Sequence, residues 1–189
     1  MVIFLAACTS STTLPAGDPT RPDIVLVSID SLRADHLGSY GYERPTSPFL
    51  DRLAADGQRF TRARTATAWT LPSHLTMLTG LWPTQHGVIE DHLALAEDVP
   101  LIQERLRAAG WATGAFVSSI YVSRVFGFAR GFDLFQDWGI TTATNLDHPI
   151  RASDVVDAAL GWAASAGEDK PIFLFLHTYD VHYPYLPAP

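Results

Sequence analysis

Residues 23–30 read DIVLVSID, a short apolar run rich in branched side chains that ends in an acidic residue. A run of this length without regular polar alternation is typical of a strand buried on both faces of a parallel sheet. Residues 171–180, PIFLFLHTYD, repeat the pattern, and residues 111–119, WATGAFVSS, are a third candidate. These three segments predict the sheet around which the chain folds.

Helices are predicted between these strands from the residues that begin and end them. A proline suits the first helical turn, and a glycine commonly follows the last one. The segments predicted as helices are residues 46–57, 72–79, 99–110 and 151–167. Strands alternating with helices predict an α/β fold in which a mainly parallel, mixed sheet carries helices on both faces.

Polar side chains follow the first and last of these strands. Asp30 ends the first strand, while His177, Asp180 and His182 lie at or just past the end of the last. In sheets of this class, ligands bind beyond the carboxyl ends of the strands. The four side chains are therefore expected at the same edge of the sheet.

The composition narrows the classes of function. A chain of 189 residues can bury one sizeable core, and 47% apolar with 17% charged residues is typical of a globular protein. The formal net charge is −7 and the pI is near 5.3, which argues against a nucleic-acid partner because phosphates would be repelled. No segment approaches the roughly 20 consecutive apolar residues of a membrane-spanning helix.

The beginning of the sequence predicts an attachment to a membrane surface. The run MVIFLAAC ends in small residues followed by Cys8, the single cysteine, and resembles the lipobox of bacterial lipoproteins. Residues 9–21 are rich in Ser, Thr, Pro and Gly and are typical of a flexible tether. We therefore expect a lipoprotein-type signal and tether over residues 1–21, a lipid on Cys8, and a location in the bacterial cell envelope.

Residues 67–80, TAWTLPSHLTMLTG, place a hydroxyl at the start of a short apolar helix. Pro72 suits the first turn and Gly80 ends the helix, so Thr70 is predicted at or just before the N-cap. One interpretation of Thr70 is a structural cap. The other is a nucleophile beside an anionic ester held at the helix N-terminus. A threonine hydroxyl needs a base or a metal to react, and Asp30 is the obvious first metal ligand.

Five blocks of sequence carry a family resemblance. They are DIVLVSIDSLRADHLGSYGY, TSPFLDRLAADGQRF, WTLPSHLTMLTGLWPTQHG, RGFDLF and PIFLFLHTYDVHYPY. In this order and spacing they resemble the N-terminal half of the sulfatase-like branch of the alkaline phosphatase superfamily, over residues 22–189. The resemblance implies a metal-dependent hydrolase of sulfate, phosphate or phosphonate esters, with a small-molecule, glycan or lipid ester as substrate.

The resemblance implies roles for particular residues. Asp30 falls at a strand-end metal ligand, and Thr70 at the nucleophile, which also contacts the metal. His74 replaces the arginine that closes the sulfatase signature, so it contacts the substrate anion or lies on the helix surface. His182 matches a histidine at the anion or leaving group, where it would act as a general acid; the alternative is a loop histidine packed on Tyr183.

The chain also departs from the family pattern. Ser31 stands where relatives often carry a second acid, and residues 117–119 replace an anion-binding Lys-Trp-His run. Thr70 cannot become formylglycine, because oxidation of its carbinol gives a ketone. A threonine ester must then be hydrolysed by direct attack of water, which favours a phospho- or phosphonoester over a sulfate ester. The metal is expected to be divalent, with Zn, Mn and Ca left open.

Other residues near the strand ends receive weaker assignments. His177, inside an apolar strand, is interpreted as a satisfied core residue or a support for a ligand. Asp180 either orients His182 or caps the loop. Arg33 and Asp35 are expected to tie the loop after the first strand together through charge-assisted hydrogen bonds.

Two other functions stay open. Enzymes that use threonine on this fold transfer phosphoethanolamine or phosphoglycerol to a glycan acceptor, so the chain could belong to a transferase. A non-catalytic lipoprotein module is the second alternative. Relatives supply further metal ligands from the C-terminal half of their domain. The segment 22–189 is therefore interpreted as an incomplete catalytic domain, expected by itself to bind metal weakly and to turn over little.

Overall fold

The structure, a computed structural model, describes residues 2–6, 21–138, 150–166, 170–183 and 185. Cys8 lies outside these residues, so lipid attachment and the cell-envelope location stay predictions. The strands are β1 (Val2–Ala6), β2 (Ile24–Ile29), β3 (Ala112–Val117), β4 (Leu134–Gln136) and β5 (Ile172–Thr178). The helices are α1 (Pro48–Asp56), α2 (Thr70–Thr79), α3 (Pro83–His86), α4 (Ile102–Ala108) and α5 (Ala152–Ala166). In the described ranges, no helix combines the length and apolar character needed to cross a membrane.

The five strands form one sheet in the order β1-β2-β5-β3-β4. Strands β2, β5, β3 and β4 run parallel, and β1 joins the edge of β2 antiparallel. This confirms the predicted mainly parallel, mixed α/β sheet. The helix boundaries agree with the prediction to a few residues, except that α4 begins at Ile102 rather than near residue 99.

Strand β1 was not predicted. Its residues pair with β2 from Val2 opposite Ile29 to Ala6 opposite Val25, in a region that the sequence assigned to a signal and tether. The pairing satisfies backbone groups on the outer edge of β2 that would otherwise face water. The boundary between residues 21 and 22 stays a prediction.

The sheet carries a hydrophobic core on each face, because successive side chains of a strand point to opposite sides. In β5, Phe173 and Phe175 join the cluster that contains the apolar side chains of α2. The intervening Ile172, Leu174 and Leu176 join a second cluster beneath α5. Helices therefore cover both faces, as predicted, and every residue of β5 is buried.

Helix α2 fixes the position of the candidate site. Leu71, Leu75 and Leu78 follow the i, i+4, i+7 spacing of one helical face, and each is at most 1% exposed. The helix ends at Gly80, whose φ of 74° lies in the left-handed region that glycine adopts at low cost. Thr70 is the first helical residue and Trp69 is the N-cap, so the structural-cap interpretation of Thr70 is wrong.

Gly114 provides a test of how α5 packs on the sheet. A Cβ at this position of β3 would lie 2.7 Å from the Trp162 ring of α5. We expect Gly114→Ala to lower the free energy of unfolding by about 1–3 kcal/mol, because a packed core accommodates an added methyl only with strain. Urea unfolding followed by circular dichroism measures the change.

The matched control is Gly161→Ala. Gly161 lies on the same helix, and apart from its chain neighbours and the backbone of its own helix no heavy atom would lie within 4 Å of an added methyl group. Alanine at an exposed helical site should leave stability unchanged or raise it by about 0.5–1 kcal/mol. Equal effects of the two substitutions would show that α5 does not pack on β3 as described.

Candidate active site at the carboxyl edge of the sheet

The site begins with two neighbouring strands whose polar residues share one face. Ser28 lies in β2, and Asp30 directly follows that strand. His177 lies in β5, and Tyr179 directly follows that strand. The register pairs Ser28 with His177, and the backbone N–H of Asp30 donates to the carbonyl of Thr178 at 3.0 Å. The face is the one that packs against α2, because Phe175 and Leu26 of the same parity belong to that core.

Helix α2 places two further side chains above this face, one turn apart. His74 lies over Ser28 and His177. Its Nε2 atom is 2.8 Å from Ser28 Oγ, and its ring centroid is 4.9 Å from that of His177. Thr70 lies over Asp30 and Tyr179, where its side chain is close enough to lower the pKa of both. The acid and the alcohol that the sequence singled out are therefore in contact.

Asp30 is held in a nearly closed environment. It is 7% exposed, and its Oδ2 atom lies 3.3 Å from His177 Nε2. Ser31 has a positive φ of 56°, which turns the chain sharply after the strand, and its hydroxyl donates to Asp30 Oδ1 at 3.1 Å. Burial by itself raises the pKa of Asp30, but hydrogen bonding and charge interactions with His177, His74 and Thr70 lower it well below its usual range. The carboxylate is ionised.

The ring of His74 has a defined tautomer. Its Nδ1 atom lies 2.7 Å from the carbonyl of Thr70, which can only accept, so Nδ1 carries the proton. Nε2 then accepts from the Ser28 hydroxyl. Burial and the neighbouring His177 lower the pKa of His74 to about 3, so the imidazole is neutral near pH 7. At 1% exposure the helix-surface alternative is wrong, and anion contact stays a prediction.

His182 is attached to the site through Tyr179. The two rings stack with centroids 3.9 Å apart, and Tyr179 Oη lies 2.9 Å from His182 Nε2. His182 Nδ1 donates to the carbonyl of Tyr183 at 2.8 Å, so Nε2 accepts from the tyrosine hydroxyl. Burial and the charge of Asp30 raise the pKa of Tyr179 to about 12, which keeps it protonated. The aromatic partner of His182 is thus Tyr179 rather than Tyr183.

The remaining predicted residues have mixed outcomes. The Arg33 guanidinium donates to Asp35 at 3.0 and 2.6 Å, as expected. Within the described part of the chain, Asp180 Oδ2 is buried without a hydrogen-bond partner. No described hydrogen bond joins Asp180 to His182. Tyr179 and the Tyr183 carbonyl orient the His182 ring instead.

Three side chains could hold a metal ion. One ligand atom from each of Asp30, His74 and His177 lies within 4.8 Å of the other two. Carboxylate oxygen and neutral imidazole nitrogen are common ligands of divalent metals. Thr70 adjoins this group through its proximity to Asp30. The donor set therefore fits the divalent metal that members of the superfamily use.

Sequence reasoning missed Ser28 and Tyr179 as neighbours of the site. Both lie at even spacing from an assigned residue, Ser28 two positions before Asp30 and Tyr179 two positions after His177. The alternation of side chains along a strand therefore contained a signal. It became usable only with the register of β2 against β5. Ser119, whose side chain hydrogen-bonds with Tyr179, had no such signal.

The fold is that of the alkaline phosphatase and sulfatase class of α/β proteins. The sulfatase family model matches residues 22–189, and the chain belongs to the sulfatase family. Human arylsulfatase A is 28% identical over 211 residues, which cover 86% of this chain and 42% of that protein. The chain spans less than half the length of the curated relatives it matches.

Solved structures show the same fold. BT4656, determined in complex with its substrate D-glucosamine-2-N,6-O-disulfate, matches with a TM-score of 0.77 at 22% identity, over 89% of this chain and 36% of that one. The phosphonate monoester hydrolase of Agrobacterium radiobacter matches with a TM-score of 0.70 at 24% identity, over 89% and 43%. The resemblance predicted from the five sequence blocks is confirmed.

The depressed pKa of His74 predicts a pH dependence of stability. Its folded value of about 3 lies below the ordinary 6.5, so the unfolded chain binds more protons between these limits and stability falls as the pH falls from 6.5 toward 3. One such group contributes at most about 1.4 kcal/mol per pH unit. The free energy of unfolding can be measured with urea, in the presence of a chelator, at several pH values from 6.5 to 4.5. Its slope against pH should be smaller in His74→Gln than in wild type by about 1 kcal/mol per pH unit.

Two features make this measurement specific. Burial also lowers the pKa of His86, so part of the slope should survive in His74→Gln. The range stays above the ordinary pKa of Asp30, 3.8, so reprotonation of Asp30 does not contribute. His92→Gln, at a side chain 67% exposed, is the control and should keep the wild-type slope. An unchanged slope in His74→Gln would contradict the buried, neutral imidazole.

Proposed function

We propose that the chain carries the nucleophile and part of the metal site of a metal-dependent ester hydrolase, with Thr70 as the nucleophile. One observation supports this above the others. The Thr70 side chain lies at the first turn of α2, close enough to Asp30 and Tyr179 to lower the pKa of both. An alcohol placed against an ionised carboxylate at a helix N-terminus stands where a cation and an anionic ester can both be bound.

A divalent metal is needed at this site for an electrostatic reason. An anionic ester that approaches Thr70 meets the negative charge of Asp30, while the neutral His74 supplies no compensating charge. A metal held by Asp30 offsets that repulsion, and when bound it also lowers the pKa of a ligating hydroxyl and withdraws charge from the ester oxygens. Thr70 is close enough to Asp30 to share such an ion.

The reaction proceeds in two displacements. Thr70 Oγ1 attacks the phosphorus or sulfur of the ester, the bond to the leaving-group oxygen breaks, and the Thr70 proton is released. Water then attacks the same atom, breaks its bond to Thr70 Oγ1, and regenerates the alcohol. The Thr70 side chain contacts Tyr179, whose hydroxyl contacts His182. Tyr179 therefore lies between the proposed nucleophile and His182, and it is hydrogen-bonded to His182.

His182 assists at the leaving group in this proposal. It is half-buried at the rim, stacked on Tyr179 and tied to the backbone through Nδ1. A protonated imidazole at this position can give a proton to a departing alkoxide. Tyr179 is a positioning residue, because it acts on the ester through the placement of His182.

A phospho- or phosphonoester is favoured over a sulfate ester. Thr70 has no second hydroxyl through which a covalent adduct could eliminate, so the adduct must be open to direct attack by water. Phosphoryl and phosphonyl adducts react in this way with charge stabilisation from a metal. The similarity in fold to a phosphonate monoester hydrolase is compatible with this preference.

A glycan group in the substrate or acceptor is supported by the rim of the site. Tyr183 and Tyr185 are 72% and 70% exposed and lie perpendicular, with centroids 6.1 Å apart, beside His182. Exposed aromatic faces next to a candidate catalytic histidine indicate a binding surface for a large ligand with apolar faces, such as a sugar ring. The same feature favours a transferase as the second candidate, with a glycan hydroxyl replacing water in the second displacement.

Replacement of the nucleophile gives the main test. In the natural protein, Thr70→Ala is expected to remove ester hydrolysis by a factor of at least about 10³, since the covalent route is lost. Intact-mass spectrometry of wild type quenched in acid with a 4-nitrophenyl phosphonate should show an adduct on a peptide containing Thr70. Product analysis with added glycan alcohols separates the hydrolase from the transferase.

The control for this test is Thr79→Ala. Thr79 lies at the other end of α2, where its hydroxyl donates to the carbonyl of Leu75 at 2.7 Å, and its loss should leave activity within about threefold because it is remote from the ester. If Thr70→Ala and wild type behave identically on phosphate, phosphonate and sulfate esters, a non-catalytic module is the better account.

The role of His182 predicts a dependence on the leaving group. His182→Gln should lower kcat/KM by about 10²–10⁴ for an alkyl ester, whose alkoxide needs a proton. For a 4-nitrophenyl ester, whose phenolate leaves without one, the loss should be much smaller. Equal losses on both esters would assign His182 to binding rather than to proton donation. His92→Gln again serves as the control at an exposed histidine.

A further inference from the structure

The cluster beside Thr70 contains two buried imidazoles for which the family resemblance gives no metal-binding role. His177 is fully buried and His74 is 1% exposed, and their rings meet edge to face at 77°. Asp30, 7% exposed, lies against His177. One potential ligand atom from each of the three lies within 4.8 Å of the others.

We infer that Asp30, His74 and His177 form a transition-metal site, with one carboxylate oxygen and two imidazole nitrogens as ligands, contained wholly within this chain. The inference deepens the proposed function, because it names the class of metal and two ligands that the sequence did not assign. It also reverses the expectation that residues 22–189 bind metal weakly.

The spacing of the donor atoms suits a small four-coordinate ion. Zinc binds nitrogen and oxygen ligands at about 2.0–2.1 Å, which places two ligands of a tetrahedron about 3.3–3.4 Å apart. Asp30 Oδ2 and His177 Nε2 are 3.3 Å apart. The ligand atom of His74 lies within 4.8 Å of the other two. A small change in the side-chain torsion angles of His74 would bring it to the spacing that a tetrahedral metal requires.

His74 is already in the tautomer that a metal ligand requires. Its Nδ1–H donates to the carbonyl of Thr70 at 2.7 Å, which leaves the Nε2 lone pair on the side of Ser28 and His177. A ligating histidine usually donates its other N–H to a carbonyl or carboxylate in this manner. The Ser28 hydroxyl, which now donates to Nε2, needs only to rotate about its Cα–Cβ bond to release it.

His177 does not behave as a satisfied core residue. Its Nδ1 atom is buried and has no hydrogen-bond partner within the described residues, whereas buried polar atoms are ordinarily paired. The ring is held in register by strand β5 and presents Nε2 to Asp30. The ionised Asp30 can only accept, so Nε2 carries the proton when no metal is bound. A metal on Nε2 would displace that proton, and ligation by Asp30 and Nε2 together would use the atoms that already face each other.

The donor set selects among metals. Imidazole nitrogen suits zinc, cobalt and other first-row transition metals, while calcium and magnesium take oxygen ligands. With one carboxylate and two imidazoles among its three protein ligands, this site should prefer Zn²⁺ or Co²⁺ to Ca²⁺ and Mg²⁺ by a wide margin. Thr70, the proposed nucleophile, lies beside Asp30 and would be the nearest alcohol to such a metal.

The test measures binding without any ester. The chain is stripped with a chelator, dialysed and titrated with Co²⁺, and visible absorption is recorded. We expect the intense bands of four-coordinate Co²⁺, lost on adding one equivalent of Zn²⁺ and retained in a large excess of Ca²⁺ or Mg²⁺. His177→Gln and His74→Gln should each weaken Zn²⁺ binding by more than about 100-fold in a competition with a chromophoric chelator, since loss of even a supporting residue costs 10–100-fold.

The matched control is His86→Gln. His86 is also buried, at 3% exposure, but contacts Thr76 and the carbonyl of Pro72 rather than the cluster. Its replacement should leave the Co²⁺ bands and the zinc affinity unchanged. Zinc affinity retained in both His177→Gln and His74→Gln, or displacement of Co²⁺ by Ca²⁺ as readily as by Zn²⁺, would overturn the inference.

A measurement on the wild-type chain covers the case in which a substitution prevents folding. With ¹⁵N-labelled histidine, Zn²⁺ should shift the ring-nitrogen signals of two of the seven histidines and leave the others in place; shifts of none or of a different set would contradict the site. Failure here is distinguishable from failure of the proposed function. A Thr70 adduct that forms with Ca²⁺ or Mg²⁺ alone would retain the nucleophile and exclude the nitrogen-ligated metal.

Discussion

The packing of helix α2 on the face shared by β2 and β5 determines the whole candidate site. Three leucines on α2 anchor it against the phenylalanines of β5. A helical turn rises 5.4 Å and two strand residues about 6.6 Å, so residues one turn apart on α2 match residues two apart on the strands. Thr70 consequently lies over Asp30 and Tyr179, and His74 over Ser28 and His177. A rotation of α2 by one residue would separate all these pairs.

Burial gives this arrangement its chemical character. An ionised Asp30 and a neutral His74 in a region almost closed to water leave a negative charge that only hydrogen bonds and neighbouring imidazoles stabilise. Such a site attracts a cation before it can accept an anion. The metal-dependent reaction on an anionic ester that we propose uses the alcohol, the carboxylate and the two imidazoles together.

The sequence predicted the architecture and part of the site. Strands β2, β3 and β5 and helices α1, α2 and α5 followed from apolar runs, prolines and glycines, because local patterns reflect burial directly. Contact between Asp30 and His177 followed from the rule that strand ends meet at one edge. The proximity of Thr70 to Asp30 followed from the argument that its hydroxyl needs a metal to react.

Details that depend on register were not accessible from the sequence. His177 lies opposite Ser28 because of the register of β5 against β2, and that register can be assigned only when it is known which strands are neighbours. The burial of His74 requires the rotation of α2. Strand β1 was missed because the same short apolar run suits a signal segment and an edge strand, and only the open edge of β2 distinguishes the two.

A crystal structure of the protein with zinc and orthovanadate would test the central claim most directly, because vanadate forms a five-coordinate adduct with an oxygen nucleophile. The account predicts vanadium bonded to Thr70 Oγ1, with the metal between that oxygen and the Asp30 carboxylate. Vanadate bound elsewhere, with the Thr70 hydroxyl turned away from Asp30, would contradict it.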